Sequence, residues 1–202
     1  VRAVVQALGG RMPVAVQVTD NSAVRILDNM AKARDDGADI AVIAPPFCLF
    51  NATPANVLQL YRTAIRQSPL PVGIYDRGVN SAVVVPDSIL PAIYAEKNVV
   101  MIKDSSVSDT RLQIALAARA RRPRLKLLTG AEFECVRYLR AGYDGLLLGG
   151  GVFNGAMARA ILEASHRGDW RRAEALQRRM NRMMWAVYGG TQLGCWLAGE
   201  KY

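Results

Sequence analysis

The sequence of 202 residues contains one histidine, His166, and three widely spaced cysteines without a CxxC pair. His166 falls on a late predicted helix, which argues against a histidine-based metal site and against a serine–histidine triad. An odd number of widely spaced cysteines without CxxC spacing is typical of free thiols in a reducing compartment, so we predict a cytoplasmic protein. No apolar run reaches the roughly 18 residues that a membrane span needs, and the N-terminus lacks a signal-peptide pattern.

Lysine is also scarce: the chain has only five lysines, so most of the formal charge of +9 comes from arginine. The densest arginine cluster, 119–124, lies at a predicted helix end and has no interleaved aromatic residues. Solvated helix faces explain such clusters, and we therefore predict no nucleic-acid partner. Because lysines are few, the position of each one is informative.

Six short apolar runs recur along the chain, with helix-like segments between them. Their near-continuous hydrophobicity is typical of parallel strands that are covered on both faces. The predicted strands are Pro13–Val18, Asp39–Ala44, Pro71–Tyr75, Val99–Lys103, Leu125–Thr129 and Gly145–Leu148.

Capping residues such as Ser22, Thr53, Ser108 and Asp169 mark the starts of several predicted helices. These helices are Ala23–Arg34, Ala55–Gln67, Ser88–Ala95, Thr110–Arg121, Glu132–Ala141, Gly155–Ser165, Trp170–Val187 and Thr191–Tyr202.

The regular succession of βα units predicts a parallel α/β protein. Similar spacing throughout, without a GxGxxG motif after the first strand, favours a (β/α)8 TIM barrel over an open doubly wound sheet. Only six of eight strands are visible. We therefore expect residues 1–165 to form a barrel portion that lacks the first two strands, and residues 166–202 to form a C-terminal helical extension.

Catalytic residues of such barrels lie at the carboxyl ends of strands, and Lys103 is the one lysine at such a position. Burial there favours the neutral amine, which attacks carbonyl groups. The alternative is a structural lysine that pairs with Asp76 or Asp104. Tyr75 ends the preceding strand, so it would lie beside Lys103 and could transfer protons; a tyrosine that merely caps the core is the alternative.

Glycines follow the last two strands at Gly130 and Gly149–Gly151. Backbone amides there could hold a carboxylate or a phosphate, although glycine triplets also occur simply as tight turns.

The chain resembles the N-acetylneuraminate lyase/dihydrodipicolinate synthase family of class I aldolases. Six motifs that carry this resemblance follow one another in the family's order: GGRMPVAVQV, GADIAVIAPPF, PVGIYD, VVMIKDSS, LKLLTGAE and AGYDGLLLGGG. The resemblance implies that Lys103 is the Schiff-base lysine and Tyr75 the proton-transferring phenol. It further implies that Gly130 and the backbone near Leu147 line a keto-acid pocket. The resemblance implies no cofactor and no metal. It also implies a homo-oligomer, either a tetramer or a dimer.

Two departures concern the substrate. Where the synthases carry an arginine five positions after the tyrosine, this chain has Asn80, and Arg77 is a candidate substitute. The stretch Ala44-Pro45-Pro46-Phe47 replaces a tyrosine pair. Both changes resemble members that act on 2-keto-3-deoxy sugar acids.

The leading prediction is therefore a lyase that cleaves a 2-keto-3-deoxy sugar acid and releases pyruvate. A dehydratase of the same acids and a dihydrodipicolinate synthase-like condensation remain alternatives. Two further alternatives are a barrel that isomerises a phosphate ester bound at the glycine triplet and a non-catalytic barrel that binds a keto acid.

Overall fold

The computed structural model describes residues 1–201, and Tyr202, at the end of the predicted extension, lies outside the described residues. Six strands occur in one sheet and follow one another in chain order. The pairings β1–β2, β2–β3, β3–β4 and β5–β6 are all parallel. The strands are β1 Ala15–Gln17, β2 Ile40–Ile43, β3 Val72–Asp76, β4 Val99–Asp104, β5 Lys126–Thr129 and β6 Gly145–Leu146.

This strand order distinguishes the two predicted architectures. A doubly wound sheet reverses its strand order at a switch point, whereas the strands of a barrel keep chain order. All six predicted strands are confirmed, and the absence of a reversal among residues 1–201 confirms the barrel class.

Helices separate the strands, as the alternating pattern predicts. The α-helices are α1 Arg2–Leu8, α2 Ala23–Asp35, α3 Pro54–Gln67, α4 Leu90–Tyr94, α5 Asp109–Arg121, α6 Cys135–Ala141, α7 Gly151–His166, α8 Trp170–Val187 and α9 Trp196–Gly199, with 3₁₀ turns at Asp87–Ile89 and Glu132–Glu134.

The predicted caps form. The side chains of Ser22, Thr53, Ser108 and Asp169 each accept a hydrogen bond from the backbone amide three residues onward. Each of these bonds satisfies an amide that has no partner within the helix, and so stabilises a helix start.

Four helices differ from their predicted bounds by more than one residue. The segment predicted as Glu132–Ala141 divides into a 3₁₀ turn at Glu132–Glu134 and α6. The segment predicted as Ser88–Ala95 divides into a 3₁₀ turn and α4, because Pro91 lacks the amide hydrogen that a continuous helix requires. The predicted helix Thr191–Tyr202 is reduced to α9, since Gly190 and Leu193 adopt left-handed backbone conformations before it. Helix α7 begins four residues earlier than predicted, at Gly151.

The contacts divide the chain into two units. The first, Val1–Leu127, has its core between β1–β4 and α2–α5 and includes Ile26, Met30, Ile65 and Ile74, each at most 2% exposed. Side chains of this size contribute roughly 1.5–3 kcal/mol each when fully buried.

The second unit begins at Leu128, and its core joins α6, α7 and α8 through buried residues such as Leu139, Ile161 and Met180. The predicted boundary at residue 165 is a different division of the chain and remains a prediction.

Candidate active site

Tyr75 and Lys103 occupy equivalent positions near the carboxyl ends of neighbouring strands. They are opposite each other in the parallel pairing of β3 and β4, as the sequence predicts. The Nζ atom of Lys103 lies 4.1 Å from the centroid of the Tyr75 ring. Both residues are half-buried, so each retains access to solvent.

A one-residue register shift creates this pairing. Val72 pairs with Val99, but the next residue, Gly73, pairs with Met101, so β4 contributes one extra residue between them. Side chains alternate between the two faces of a strand. Without the shift, Tyr75 and Lys103 would lie on opposite faces of the sheet.

Gly73 permits the close approach of the two strands at this shift. A Cβ atom at this position would lie 2.9 Å from Cγ of Met101 and 3.2 Å from Cγ2 of Val42. Any larger residue at position 73 would therefore push against the strand that carries Lys103.

Lys103 has neither of the partners that a structural lysine would need. The carboxylate of Asp76 accepts hydrogen bonds from Arg111 and Tyr94, and that of Asp104 accepts from the amide and hydroxyl of Ser106. Within residues 1–201, the Lys103 amine makes no hydrogen bond or ion pair. An accessible amine without a carboxylate partner is suited to attack on a carbonyl carbon.

A buried polar network lies directly after Tyr75 in the chain. Asp76, with a side chain 2% exposed, accepts hydrogen bonds from Nη1 of Arg111 at 2.5 Å, the hydroxyl of Tyr94 at 3.1 Å and the amide of Gly78 at 2.9 Å. Burial and the negative charge of Asp76 raise the pKa of the nearby Tyr61 hydroxyl. Burial opposes the charge of Arg111, but Asp76 outweighs it and the arginine pKa is raised.

Arg111 is not among the site residues predicted from the sequence, although one signal points to it. Arg111 lies in the first turn of α5, where the helix dipole disfavours a positive charge. An arginine at this position therefore indicates a nearby carboxylate. Besides Asp76, the structure supplies Asp87 at 2.8 Å and the carbonyl oxygen of Val85 at 2.6 Å.

Arg77 and Asn80, the predicted substrate contacts, lie in the loop after β3. The guanidinium carbon of Arg77 is 6.0 Å from the Tyr75 ring centroid, and Arg77 is half-buried. Asn80 is exposed, and its backbone N–H donates to the backbone carbonyl oxygen of Arg77 at 3.2 Å. The structure therefore places the Arg77 guanidinium over the Tyr75 ring, whereas Asn80 lies at an exposed position of the same loop.

Gly130 and Leu147 lie in the second unit, just after β5 and β6. The carbonyl oxygen of Gly130 accepts from the Glu132 amide at 3.0 Å. Leu147 is 39% exposed, and its amide donates to the Thr129 carbonyl oxygen at 2.8 Å. The Gly130 carbonyl oxygen and the Leu147 amide are thus each engaged in a hydrogen bond within the protein.

A carboxylate of the protein lies at the glycine triplet, where the sequence predicts an anion site. The amide of Gly150 donates to Oε2 of Glu132 at 2.8 Å, and the hydroxyl of Tyr188 donates to Oε1 of the same carboxylate at 3.1 Å. Burial and the charge of Glu132 raise the pKa of Tyr188. A carboxylate at the start of α7 complements the helix dipole and repels a second anion, which weakens the predicted phosphate site.

The cysteines and acidic residues of residues 1–201 form neither a disulfide nor a metal site. Across the described part of the chain, no group of three or more histidine, cysteine, aspartate or glutamate side chains could hold a metal ion. Cys48, Cys135 and Cys195 are free thiols. None of the helices within residues 1–201 is long and apolar enough to cross a membrane.

The order of strands and the paired Tyr75 and Lys103 invite comparison with known proteins. The model of the dihydrodipicolinate synthetase family matches residues 1–191. The chain belongs to this family.

Curated family relatives are longer than this chain. It is 30% identical over 165 residues to the 4-hydroxy-tetrahydrodipicolinate synthase of Stenotrophomonas maltophilia strain K279a, covering 80% of this chain and 54% of the relative. It is 28% identical over 191 residues to the corresponding synthase of Anaeromyxobacter sp. strain Fw109-5, covering 91% and 63%. The chain thus spans about half to two thirds of the relatives it matches.

Solved structures of family members show the same fold. The dihydrodipicolinate synthase of Bacteroides thetaiotaomicron superposes with a TM-score of 0.84 at 25% identity, covering 99% of this chain and 67% of that one. YagE, a prophage protein of the same family from Escherichia coli K12 solved in complex with pyruvate, gives 0.82 at 20% identity, covering 93% and 63%. The fold of this chain is accordingly a portion of a TIM barrel.

Proposed function

We propose that the protein containing this chain is a class I aldolase or lyase that forms a Schiff base between Lys103 and a 2-keto acid. One observation carries the proposal: the unpaired amine of Lys103 lies 4.1 Å from the Tyr75 ring at the ends of paired strands. A small-molecule keto acid is the partner, and the lysine itself supplies the covalent chemistry without a further cofactor.

The leading reaction is cleavage of a 2-keto-3-deoxy sugar acid. The Lys103 amine adds to the C2 carbonyl, and the Tyr75 phenol protonates the resulting hydroxyl so that it leaves as water. The phenolate then takes the proton of the C4 hydroxyl, and the C3–C4 electron pair moves into the protonated imine, releasing an aldehyde and leaving an enamine. Tyr75 protonates C3 of the enamine, and water hydrolyses the new imine to pyruvate and free lysine.

The remaining predicted contacts belong to this proposal. Gly130 and the backbone near Leu147 would line the keto-acid pocket, while Arg77 and Asn80 would lie toward the other end of the substrate. Homologous synthases support the reaction class, and we also propose that the protein is a cytoplasmic homo-oligomer, as members of the family commonly are.

Synthase activity is the second candidate, because the matched relatives are named 4-hydroxy-tetrahydrodipicolinate synthase. Two features of this chain favour sugar-acid cleavage instead. Asn80 replaces the expected arginine and is exposed, and Ala44-Pro45-Pro46-Phe47 lacks a tyrosine hydroxyl. Loss of the C4 hydroxyl as water would make the same site a dehydratase.

Borohydride reduction with pyruvate tests the proposal directly. The intact protein is incubated with pyruvate and sodium borohydride, and the peptide that carries Lys103 is examined by mass spectrometry. A reduced pyruvyl adduct is expected in the wild type and absent in Lys103→Ala, while Lys126→Ala, which removes an exposed lysine at the start of β5, retains it. A folded wild-type protein without the adduct would refute the Schiff-base proposal.

Replacement of Tyr75 separates an enzyme from a binding protein. Tyr75→Phe keeps the ring beside Lys103 but removes the hydroxyl, so we expect turnover of sugar acids to fall by roughly 10²–10⁴-fold, the usual contribution of acid–base catalysis. If the wild type and Tyr75→Phe trap pyruvate equally, and the wild type turns over no 2-keto-3-deoxy acid, the protein is instead a non-catalytic barrel that binds a keto acid.

A further inference from the structure

Arg77 differs from the other arginines that are withdrawn from solvent. Five others are at least partly buried, and each has a partner: Arg62, Arg111, Arg122 and Arg137 donate hydrogen bonds to carboxylate or carbonyl oxygens of the protein, and Arg119 also has an interaction partner. Arg77 is half-buried, yet within residues 1–201 it makes no hydrogen bond or ion pair and only faces the Tyr75 ring. A partly desolvated guanidinium without an anionic partner is unfavourable, which indicates that the partner is a ligand.

The backbone on both sides of Arg77 is held in place. Asp76 is fixed by Arg111 and Tyr94, and its carboxylate also accepts from the amide of Gly78. Gly78 has a φ of +59° and packs so closely on Ser106 that an added Cβ would lie 2.8 Å from the serine Cβ. A cation on such a rigid segment binds an anion with little further ordering cost.

Arg77 also lies where the far end of a bound substrate would reach. Its guanidinium carbon is 6.0 Å and the Lys103 Nζ 4.1 Å from the same ring centroid, so the two groups are separated by at most the sum of these distances. A substrate joined to Lys103 through C2 must pass Tyr75, because Tyr75 exchanges a proton with the C4 hydroxyl. The atoms beyond C4 then come within reach of Arg77.

We propose that Arg77 binds a second carboxylate at the far end of the substrate. The inference rests on the proposed function and narrows its substrate class to 2-keto diacids, such as 2-keto-3-deoxy aldaric acids, rather than acids that end in a primary alcohol. A planar carboxylate matches the two-pronged donor geometry of a single guanidinium. A phosphate ester carries a charge of about −1.5 to −2, which a single guanidinium balances only in part, and the nearby amide of Gly78 is already used by Asp76.

Trapping experiments with matched keto acids test the inference without knowledge of the natural substrate. The intact protein is reduced with borohydride in the presence of increasing 2-oxoglutarate or 2-oxopentanoate, which have the same chain length and differ in the distal carboxylate. 2-Oxoadipate and 2-oxohexanoate form a second matched pair. They are one carbon longer, so the distal carboxylate of 2-oxoadipate lies farther from the C2 carbon that is bound to Lys103. Adduct on Lys103 is quantified by mass spectrometry, and pyruvate, which has no distal group, is measured in parallel.

We expect at least one diacid to half-saturate trapping at a concentration roughly ten- to a hundredfold below that of its monoacid partner, as charged hydrogen bonds provide. Arg77→Gln should reduce trapping of the preferred diacid roughly tenfold or more beyond any change in trapping of pyruvate or of the matching monoacid, whereas Arg77→Lys should restore part of the preference. Arg124→Gln, which removes the same charge at an exposed position, should retain the full preference.

Two results would overturn the inference while leaving the proposed function intact. One is efficient pyruvate trapping with no preference for either diacid. The other is an equal loss of diacid and monoacid trapping in Arg77→Gln, which would indicate a general effect on the site. Failure of pyruvate to react with Lys103 in the folded wild type would instead refute the proposed function itself.

Discussion

The ion pair between Asp76 and Arg111 provides a quantitative test of how the loops beside Tyr75 and Lys103 are held. The side chains are 2% and 5% exposed, and Arg111 also donates to the carbonyl oxygen of Val85. Arg111→Met keeps most of the side-chain volume but leaves the Asp76 carboxylate buried without its cation. Removal of one partner of a buried pair typically costs about 3–5 kcal/mol.

A loss of this size is readily measured. For a chain of about this length, 1 kcal/mol corresponds to roughly 2–4 °C in melting temperature, so Arg111→Met should melt roughly 6–20 °C below the wild type. Urea unfolding followed by circular dichroism gives the free energy of unfolding directly.

A matched control uses the second carboxylate on the same arginine. Asp87 is 46% exposed and lies 2.8 Å from Arg111, so Asp87→Asn should cost at most about 1 kcal/mol. The double variant Asp76→Asn/Arg111→Met should be more stable than the sum of the single effects predicts, because neither buried charge then remains. A loss below about 1 kcal/mol in Arg111→Met, or strict additivity in the double variant, would contradict this reasoning.

Three further predictions concern other parts of the chain. Glu96, whose pKa is lowered chiefly by a hydrogen bond from Arg66, stabilises the fold above the unfolded pKa of about 4.3, and this contribution is lost as the pH falls through the lower folded value. The difference in unfolding free energy between wild type and Glu96→Gln, about 1 kcal/mol at pH 7, should therefore disappear on acidification. Gly73→Ala should cost about 1–3 kcal/mol in urea unfolding, because its Cβ overlaps the methionine on β4. Iodoacetamide at pH 8 should modify the exposed Cys48 and Cys195 but not Cys135, where burial raises the thiol pKa to about 12; mass spectrometry should show a third label only in denaturant.

Each of these predictions has its own contradicting result. A pH-independent difference for Glu96→Gln would show that the carboxylate is not stabilised by its arginines. Gly155→Ala, where a Cβ meets nothing within 4 Å in α7, is the control for Gly73→Ala and should be neutral or stabilising. Three labels on the native protein would show that Cys135 is accessible.

Local sequence patterns determined the barrel class, the approximate strands and most helix starts of this protein. Continuous apolar runs require parallel strands with both faces covered, and a side-chain oxygen at a helix start binds the same amide wherever that start occurs. The positions of Lys103 and Tyr75 at strand ends could therefore be predicted from spacing alone. The bounds of α4 and α9 could not, because Pro91 and the left-handed Leu193 interrupt otherwise helical segments.

Tertiary structure alone decided how the site is assembled. The register shift between β3 and β4 that sets Tyr75 opposite Lys103 depends on close packing at Gly73, which no local pattern reports. Arg111 pairs with Asp76, and Lys103 is left without a carboxylate partner. This ion pair joins a helix and a strand that are separated by more than thirty residues in the chain. Strand positions follow from local hydrophobicity, whereas register and ion pairing are set by long-range contacts that form only when the elements pack together.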